Sequence, residues 1–225
     1  MSSSAKLILT ALSVALVLAD AVGSATARSL STSDQNFRVA WSSLEFTNEI
    51  ATVRCRVTLE GSFVARTIGK VQGLLTGRIP GATVGHPCTN GEAWFDNGRE
   101  AEPLGTAPQK LPIHLTFESF DGTLPAITAV EILWRLFEWV TQSTALGIPT
   151  RCRYGRVEDT VLLTASRTVA NGAITSLTPV AGRNRVSLVD GLLNGGLCSS
   201  TAGVAGASGP MTSLSSGSTI TITLI

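Results

Sequence analysis

From Thr52 to Glu60 apolar and polar residues alternate without a break. Val53, Cys55, Val57 and Leu59 form one set, and Thr52, Arg54, Arg56, Thr58 and Glu60 form the other. Side chains alternate faces along a strand, so this is the pattern of a strand with one dry and one wet face. Upstream, Leu44 and Phe46 alternate with Glu45 and Thr47. Asn48 and Glu49 lie between the two runs, and Asn tolerates the backbone conformations of turns. The stretch from Trp41 to Phe63 therefore predicts a β-hairpin. A slip of one residue would carry Arg54 and Arg56 into the core, which fixes the register.

The same period recurs downstream. Leu111, Ile113, Leu115 and Phe117 alternate with His114, Thr116 and Glu118, and the run from Phe120 to Pro125 turns that strand back. The arms 159–167 and 173–177 flank Ala170-Asn171-Gly172, a second hairpin. Asn184 to Val189 is a short strand, and Ser218 to Ile225 is a closing strand with Ile220, Ile222 and Leu224 on one face. The turn-rich region from Gly85 to Gln109 holds Asn90-Gly91 and Asp96-Asn97-Gly98, and predicts a small hairpin with Trp94 and Phe95 on its first arm.

Two segments follow another period. Ile68, Val71, Leu74 and Leu75 have helical spacing, so 65–75 predicts a short helix leading into a strand through Ile79. Gly69 and Gly73 weaken that helix by about 1 kcal/mol each. Between Ala129 and Thr141, the residues Ile132, Leu133, Leu136, Phe137 and Val140 fit a helical face, whereas Val130, Ile132, Trp134 and Leu136 fit a strand face. Periodicity favours helix and the surrounding β pattern favours strand, so both stay open. Arg28 to Asn36 reads as a loose polar lead-in, and Gly191 to Gly217 as flexible loop unless Cys198 pins it. The expected fold is mainly β: an antiparallel β-sandwich or barrel of about nine short strands with one or two short helices, in a single domain over 28–225.

The N-terminus places the chain. Lys6 precedes an apolar run from Leu7 to Leu18, and Ala25-Thr26-Ala27 is a small-x-small cleavage site. Residues 1–27 read as a secretory signal peptide, with an apolar run too short to serve as a membrane anchor. No later run is long enough for a membrane helix. Secreted or cell-envelope localisation follows. The formal charge is +1, which argues against nucleic acid or an anionic membrane surface as partner.

Four cysteines in an exported chain imply two disulfides among Cys55, Cys88, Cys152 and Cys198. Three pairings are open; Cys55–Cys88 with Cys152–Cys198 closes the shorter loops. The competing reading is a metal site, but there is no Cys-x-x-Cys, and His86-Pro87-Cys88 is the nearest approach to one. No metal and no cofactor is expected.

Three pieces, VRCRVTLEGSFVARTIGKV, FESFDGTLPAIT and the terminal STITITLI, together resemble a group of small secreted actinobacterial proteins with no assigned activity. The likeness covers most of the chain after residue 27. It implies export, a β fold and a strand around Ala129 to Phe137. The turn region from Phe95 to Gln109 departs from the group, and no functional residue carries over.

Candidate chemistry is sparse. A Ser–His–Asp arrangement would need His86 or His114, and His114 falls on the polar face of a strand. No Gly-x-Ser-x-Gly elbow is present. Glu118 with Asp121, or Glu158 with Asp159, are the closest carboxylate pairs for glycoside hydrolysis, and surface charge explains both better. Asp96-Asn97-Gly98 with Glu100 and Glu102 is a thin calcium candidate that a plain turn also explains. Trp94 and Phe95, beside the Asn-Gly turns, are the candidate binding residues: a flat platform for carbohydrate or a small apolar ligand. Packing of Trp94 over Cys88 is the plainer alternative. Trp41, Trp134 and Trp139 lie in periodic apolar runs and are expected in the core. A small outer-membrane barrel is disfavoured by the 5% aromatic content. The expectation is an exported non-enzymatic β module with a structural or binding role. The alternative is an extracellular hydrolase acting on glycosides or esters.

Overall fold

The structure, a computed structural model, describes residues 29–95, 112–123, 126–145 and 147–225. The segment read as a signal peptide, Leu111 and the Asp96-Asn97-Gly98 turn with Glu100 and Glu102 lie outside the described residues. Sixteen strands occur among the described residues: β1 (Ser29–Thr32), β2 (Asn36–Thr47), β3 (Thr52–Phe63), β4 (Thr67–Gly69), β5 (Leu75–Thr89), β6 (Glu92–Phe95), β7 (Ile113–Thr123), β8 (Ala126–Arg135), β9 (Trp139–Ala145), β10 (Ile148–Tyr154), β11 (Thr160–Arg167), β12 (Ile174–Pro179), β13 (Arg185–Leu193), β14 (Thr201–Ala205), β15 (Thr212–Ser213) and β16 (Ile222–Leu224). No α-helix is present among them, only a 3-10 turn at Gly195–Leu197. The fold is thus mainly β and antiparallel as expected, with more strands than nine and without the expected helices.

The hairpin forms in the register its pattern dictates. Val39 faces Leu59, Trp41 faces Val57, Leu44 faces Cys55 and Phe46 faces Val53 across β2 and β3, with a bulge between Trp41 and Leu44. Asn48 closes the turn, its Oδ1 accepting from the Ile50 and Ala51 backbone N–H groups at 2.9 and 2.8 Å. Arg54 and Arg56 stay on the wet face.

Twelve strands run in the order β12-β11-β8-β7-β5-β3-β2-β14-β13-β10-β9-β6, and β15 joins the free part of β2. The sheet curls into a half-barrel, as its aromatic contacts show. Trp41 on β2 and Trp134 on β8 are four strand steps apart, about 19 Å in a flat sheet. Their rings nevertheless meet edge to face at 5.8 Å. Phe137 follows β8 and joins this cluster to Phe95 and Trp139, at 5.5 and 4.9 Å. Phe46 reaches Phe95 and Trp139 from β2, at 6.0 and 5.7 Å. Trp41, Trp134 and Trp139 are buried, as expected. A second, three-stranded sheet, β16-β1-β4, buries Leu30, Ile68 and Ile222.

Several segments depart from the sequence reading for identifiable reasons. The helix expected at 65–75 is instead β4, a turn and the start of β5. Gly73 takes a left-handed φ of +77°, and Val71 and Leu74 on the supposed helical face are 63% and 44% exposed. With Val71 and Leu74 in solvent, a helix there would bury little beyond Ile68 to offset its two glycines.

The segment 129–141 is two strands, β8 and β9, broken where Leu136 adopts φ +57°. Its helical periodicity arises because β8 is covered on both sides: Leu133 is buried as fully as Val130 and Ile132. A strand buried on both faces loses alternation and reads as a continuous apolar run.

The lead-in is not loose. Leu30 anchors β1 between β4 and β16. The Gly- and Ser-rich tail is ordered too, because it seals a sheet edge. Ser208 N–H donates to the Leu177 carbonyl at 2.9 Å, and Leu177 N–H donates to Ser208 Oγ at 2.7 Å. Ile174 N–H donates to the Ile220 carbonyl at 2.9 Å. These bonds use the unpaired side of β12, which would otherwise be an open edge. The closing strand is shorter than expected, Ile222–Leu224, though Ile220 and Ile222 are both buried. Asn171-Gly172 turns the chain between β11 and β12, as its sequence predicts.

The cysteines pair as Cys55–Cys88 and Cys152–Cys198, with Cα separations of 4.5 and 5.8 Å. Two disulfides are consistent with an oxidising, extracellular environment. Among the described residues no helix is long and apolar enough to cross a membrane.

Candidate functional site

The side chains with the most functional promise meet on the outer face of β5, β6, β9 and β10. Along β6, Ala93 and Phe95 point into the core and Glu92 and Trp94 point out. The two residues of the expected aromatic platform are therefore separated. Phe95 is 2% exposed and packs on Phe46 and Phe137, whereas Trp94 is half-buried at the surface.

Trp94 has two flanking partners. The Arg151 guanidinium lies 5.7 Å from the indole centroid, within cation–π range. The His86 ring lies 5.8 Å away, tilted by 36°. Each partner is itself held. Arg151 donates from Nε to Gln142 Oε1 at 3.0 Å and donates again from Nη2. His86 Nδ1 is hydrogen-bonded to Glu92 Oε2. The register makes this possible: Glu92 lies opposite Gln142 across β6 and β9, and Gln142 lies opposite Arg151 across β9 and β10.

A cleft of about 510 Å³ opens at the end of this strip, lined by Asn90, Gly91, Glu92, Gln142, Ser143, Thr144 and Pro149. Its chemistry is that of amides, hydroxyls and one carboxylate. Gly91 is fixed by sterics. It has φ +141°, and a Cβ there would meet the Gln142 carbonyl oxygen at 2.3 Å. Asn90 ties the turn to β3 through Nδ2 and the Thr52 carbonyl at 3.3 Å. On the far side, Asn194 Nδ2 donates to the Pro149 carbonyl at 2.7 Å, next to the Cys152–Cys198 bridge. An apolar ring beside a rigid cluster of hydrogen-bonding groups can take a ligand with one flat apolar side and several polar edges.

The other candidates are dispersed. His114 is half-buried on β7 between Arg78 and Arg135, and among the described residues it makes no hydrogen bond to a serine or carboxylate. Glu118 accepts from Gln72 Nε2 at 3.2 Å and lies 3.5 Å from Arg183 Nη2. Asp121 is exposed and accepts the Gly122 backbone N–H at 2.8 Å. Asp159 accepts from the Arg156 and Ser187 N–H groups at 2.9 and 2.7 Å, which occupies it in a loop while Glu158 points to solvent.

Sequence reasoning missed Arg151 and Gln142. The Arg-Cys-Arg run at 151–153 carried a usable signal. With Cys152 in the core, both arginines must lie on the outer face. Which strand they would meet there depended on long-range pairing.

In comparison with known proteins, no family model, curated protein or solved structure matches the chain. The fold and the site define it as a disulfide-bonded antiparallel β half-barrel with a polar cleft beside a surface tryptophan.

Proposed function

We propose that this chain is an exported, non-enzymatic β module that binds carbohydrate, or a small apolar ligand, at the Trp94 cleft. The observation that carries this reading is the position of Trp94. It is held at the surface by Arg151 and His86, beside a cleft lined by Asn90, Glu92 and Gln142. Indole faces bury the apolar side of a sugar ring, and amides and carboxylates take up its hydroxyls. The two disulfides support export, in keeping with the likeness to small secreted actinobacterial proteins. The loop and surface engagements of Glu118, Asp121 and Asp159 favour binding over hydrolysis.

The test is retention on a panel of insoluble polysaccharides. The wild type is retained on at least one, and Trp94→Ala is not, with its β circular dichroism unchanged. Equal retention of the two proteins removes the site. Turnover of a glycoside or ester substrate that is lost in Glu118→Gln or His114→Ala would replace the reading with the hydrolase.

A further inference from the structure

The end of β5 and the start of β6 gather a metal-ligand set that a disulfide keeps closed. His86, Cys88 and Glu92 each offer one donor atom, and these atoms lie within 4.8 Å of one another. Tetrahedral zinc, with bonds of about 2.0–2.3 Å, holds its ligand atoms about 3.5 Å apart. His86 is exposed and Glu92 half-buried, so both side chains can make that adjustment. His86 Nδ1 and Glu92 Oε2 already face each other across a hydrogen bond, and a cation can take its place. The third donor is tied up. Thiolate is the metal-binding form of cysteine, and the Cys88 sulfur is bonded to Cys55.

The two cysteines of that bridge differ in exposure. Cys55 is 2% exposed in the core, whereas Cys88 is half-buried at the surface. Thiol–disulfide exchange depends on which sulfur an incoming thiolate can reach. We propose that the Cys55–Cys88 bridge is a thiol-operated gate over a His86–Cys88–Glu92 site for a zinc-like divalent cation. A dithiol reductant attacks Cys88 Sγ, forms a mixed disulfide there and expels the Cys55 thiolate. Its second thiol then attacks the mixed disulfide, releases Cys88 and closes as the reductant's own disulfide. Two electrons and two protons pass to the bridge, leaving Cys55 and Cys88 as thiols. The cation displaces the Cys88 thiol proton into solvent and takes Nδ1 of His86 as the neutral imidazole, whose single proton then sits on Nε2. Three protein ligands leave the fourth tetrahedral position open. The site shares Glu92 with the Trp94 cleft but does not depend on the ligand proposed there.

Cobalt(II) titration tests this, because a cobalt–thiolate bond gives a near-ultraviolet charge-transfer band. The oxidised wild type shows no band. The variant Cys55→Ala, which frees Cys88 without a reductant, binds one equivalent with the band. Adding Cys88→Ser abolishes the band. Adding His86→Ala weakens binding by about 100-fold or more, since even groups that only orient ligands cost about 10–100-fold. A folded Cys55→Ala protein without the band overturns the proposal, as does a band that His86→Ala leaves unchanged. If Cys55→Ala loses its β circular dichroism, the wild type reduced with a phosphine is titrated by the same criteria. Loss of the fold there also overturns the gate, which requires a folded reduced state.

Discussion

The Asp34 carboxylate accepts a hydrogen bond from the Ser213 hydroxyl, joining the turn before β2 to a segment 179 positions further along the chain. Ser215 Oγ donates to the same oxygen at 3.0 Å, and the Gln35 and Asn36 N–H groups donate to the other. The Ser213 bond, then the Asn36 N–H and the Ser215 bond, hold the Asp34 pKa down to about 2 from an ordinary 3.8. A depressed carboxylate pKa contributes stability above the unfolded pKa and loses it as pH falls through the folded one. The wild type should therefore lose urea resistance between about pH 4 and pH 2 more steeply than Asp34→Asn. Parallel pH profiles would mean that this junction does not couple to folding.

Tyr154 shows the opposite sign. Its buried hydroxyl meets Ser199 Oγ at 3.3 Å and accepts from Asn48 Nδ2 at 3.4 Å, linking the β2–β3 turn to β10 and the loop after Cys198. Desolvation raises its pKa above 10.0, against the lowering effect of these bonds. A raised pKa contributes stability below the unfolded value and loses it as pH climbs towards the folded value. Tyr154→Phe should cost about 1 kcal/mol at neutral pH, the worth of an ordinary buried hydrogen bond. It should also flatten the loss of stability above about pH 10, measured by denaturant midpoints at pH 7 and pH 10.5. An alkaline limb that survives the substitution would belong to another group.

What the sequence showed and what it hid divide along physical lines. The β2–β3 hairpin was legible because one of its faces is dry and the other wet, so the period-2 signal survives. The Asn171-Gly172 turn was legible because its chemistry is local. The β8–β9 segment was ambiguous because β8 is buried on both faces, which erases alternation. The Trp94–Arg151 contact was illegible because it needs β6 to pair with β9 and β9 with β10, and nothing local to Trp94 specifies that. The separation of Trp94 from Phe95 was available in principle: Ala93 and Phe95 share one face of a strand, Glu92 and Trp94 the other.

Phe137 tests the curl of the sheet. It touches Phe95, Trp134 and Trp139 with ring centroids 4.9–5.5 Å away, and so joins residues that are distant along the strand order. Phe137→Ala should cost about 3–5 kcal/mol, because the rigid rings around it cannot collapse into the space. Equilibrium urea unfolding measures this. A loss below about 1 kcal/mol, smaller than a typical large-to-small core substitution, would mean that the cluster is loosely packed.

The Cys152–Cys198 bridge carries a prediction that separates global from local stabilisation. It spans 46 positions, and on one side of it lies the Gly-rich stretch 191–196, which has few side chains to bury. The 3-10 turn there rests on two backbone bonds, Leu197 N–H to the Asn194 carbonyl at 3.0 Å and Cys198 N–H to the Gly195 carbonyl at 2.9 Å. Replacing both cysteines with alanine should cost about 2–4 kcal/mol overall. If the bridge acts only on the unfolded chain, amide exchange should accelerate uniformly. If it also pins this stretch, as the bond from Asn194 to Pro149 indicates, the Leu197 and Cys198 amides should accelerate well beyond those of β2 and β3. The second pattern is expected, because β13 pairs with β10 only as far as Leu193, and beyond it the bridge and the bond from Asn194 to Pro149 hold the turn against β10.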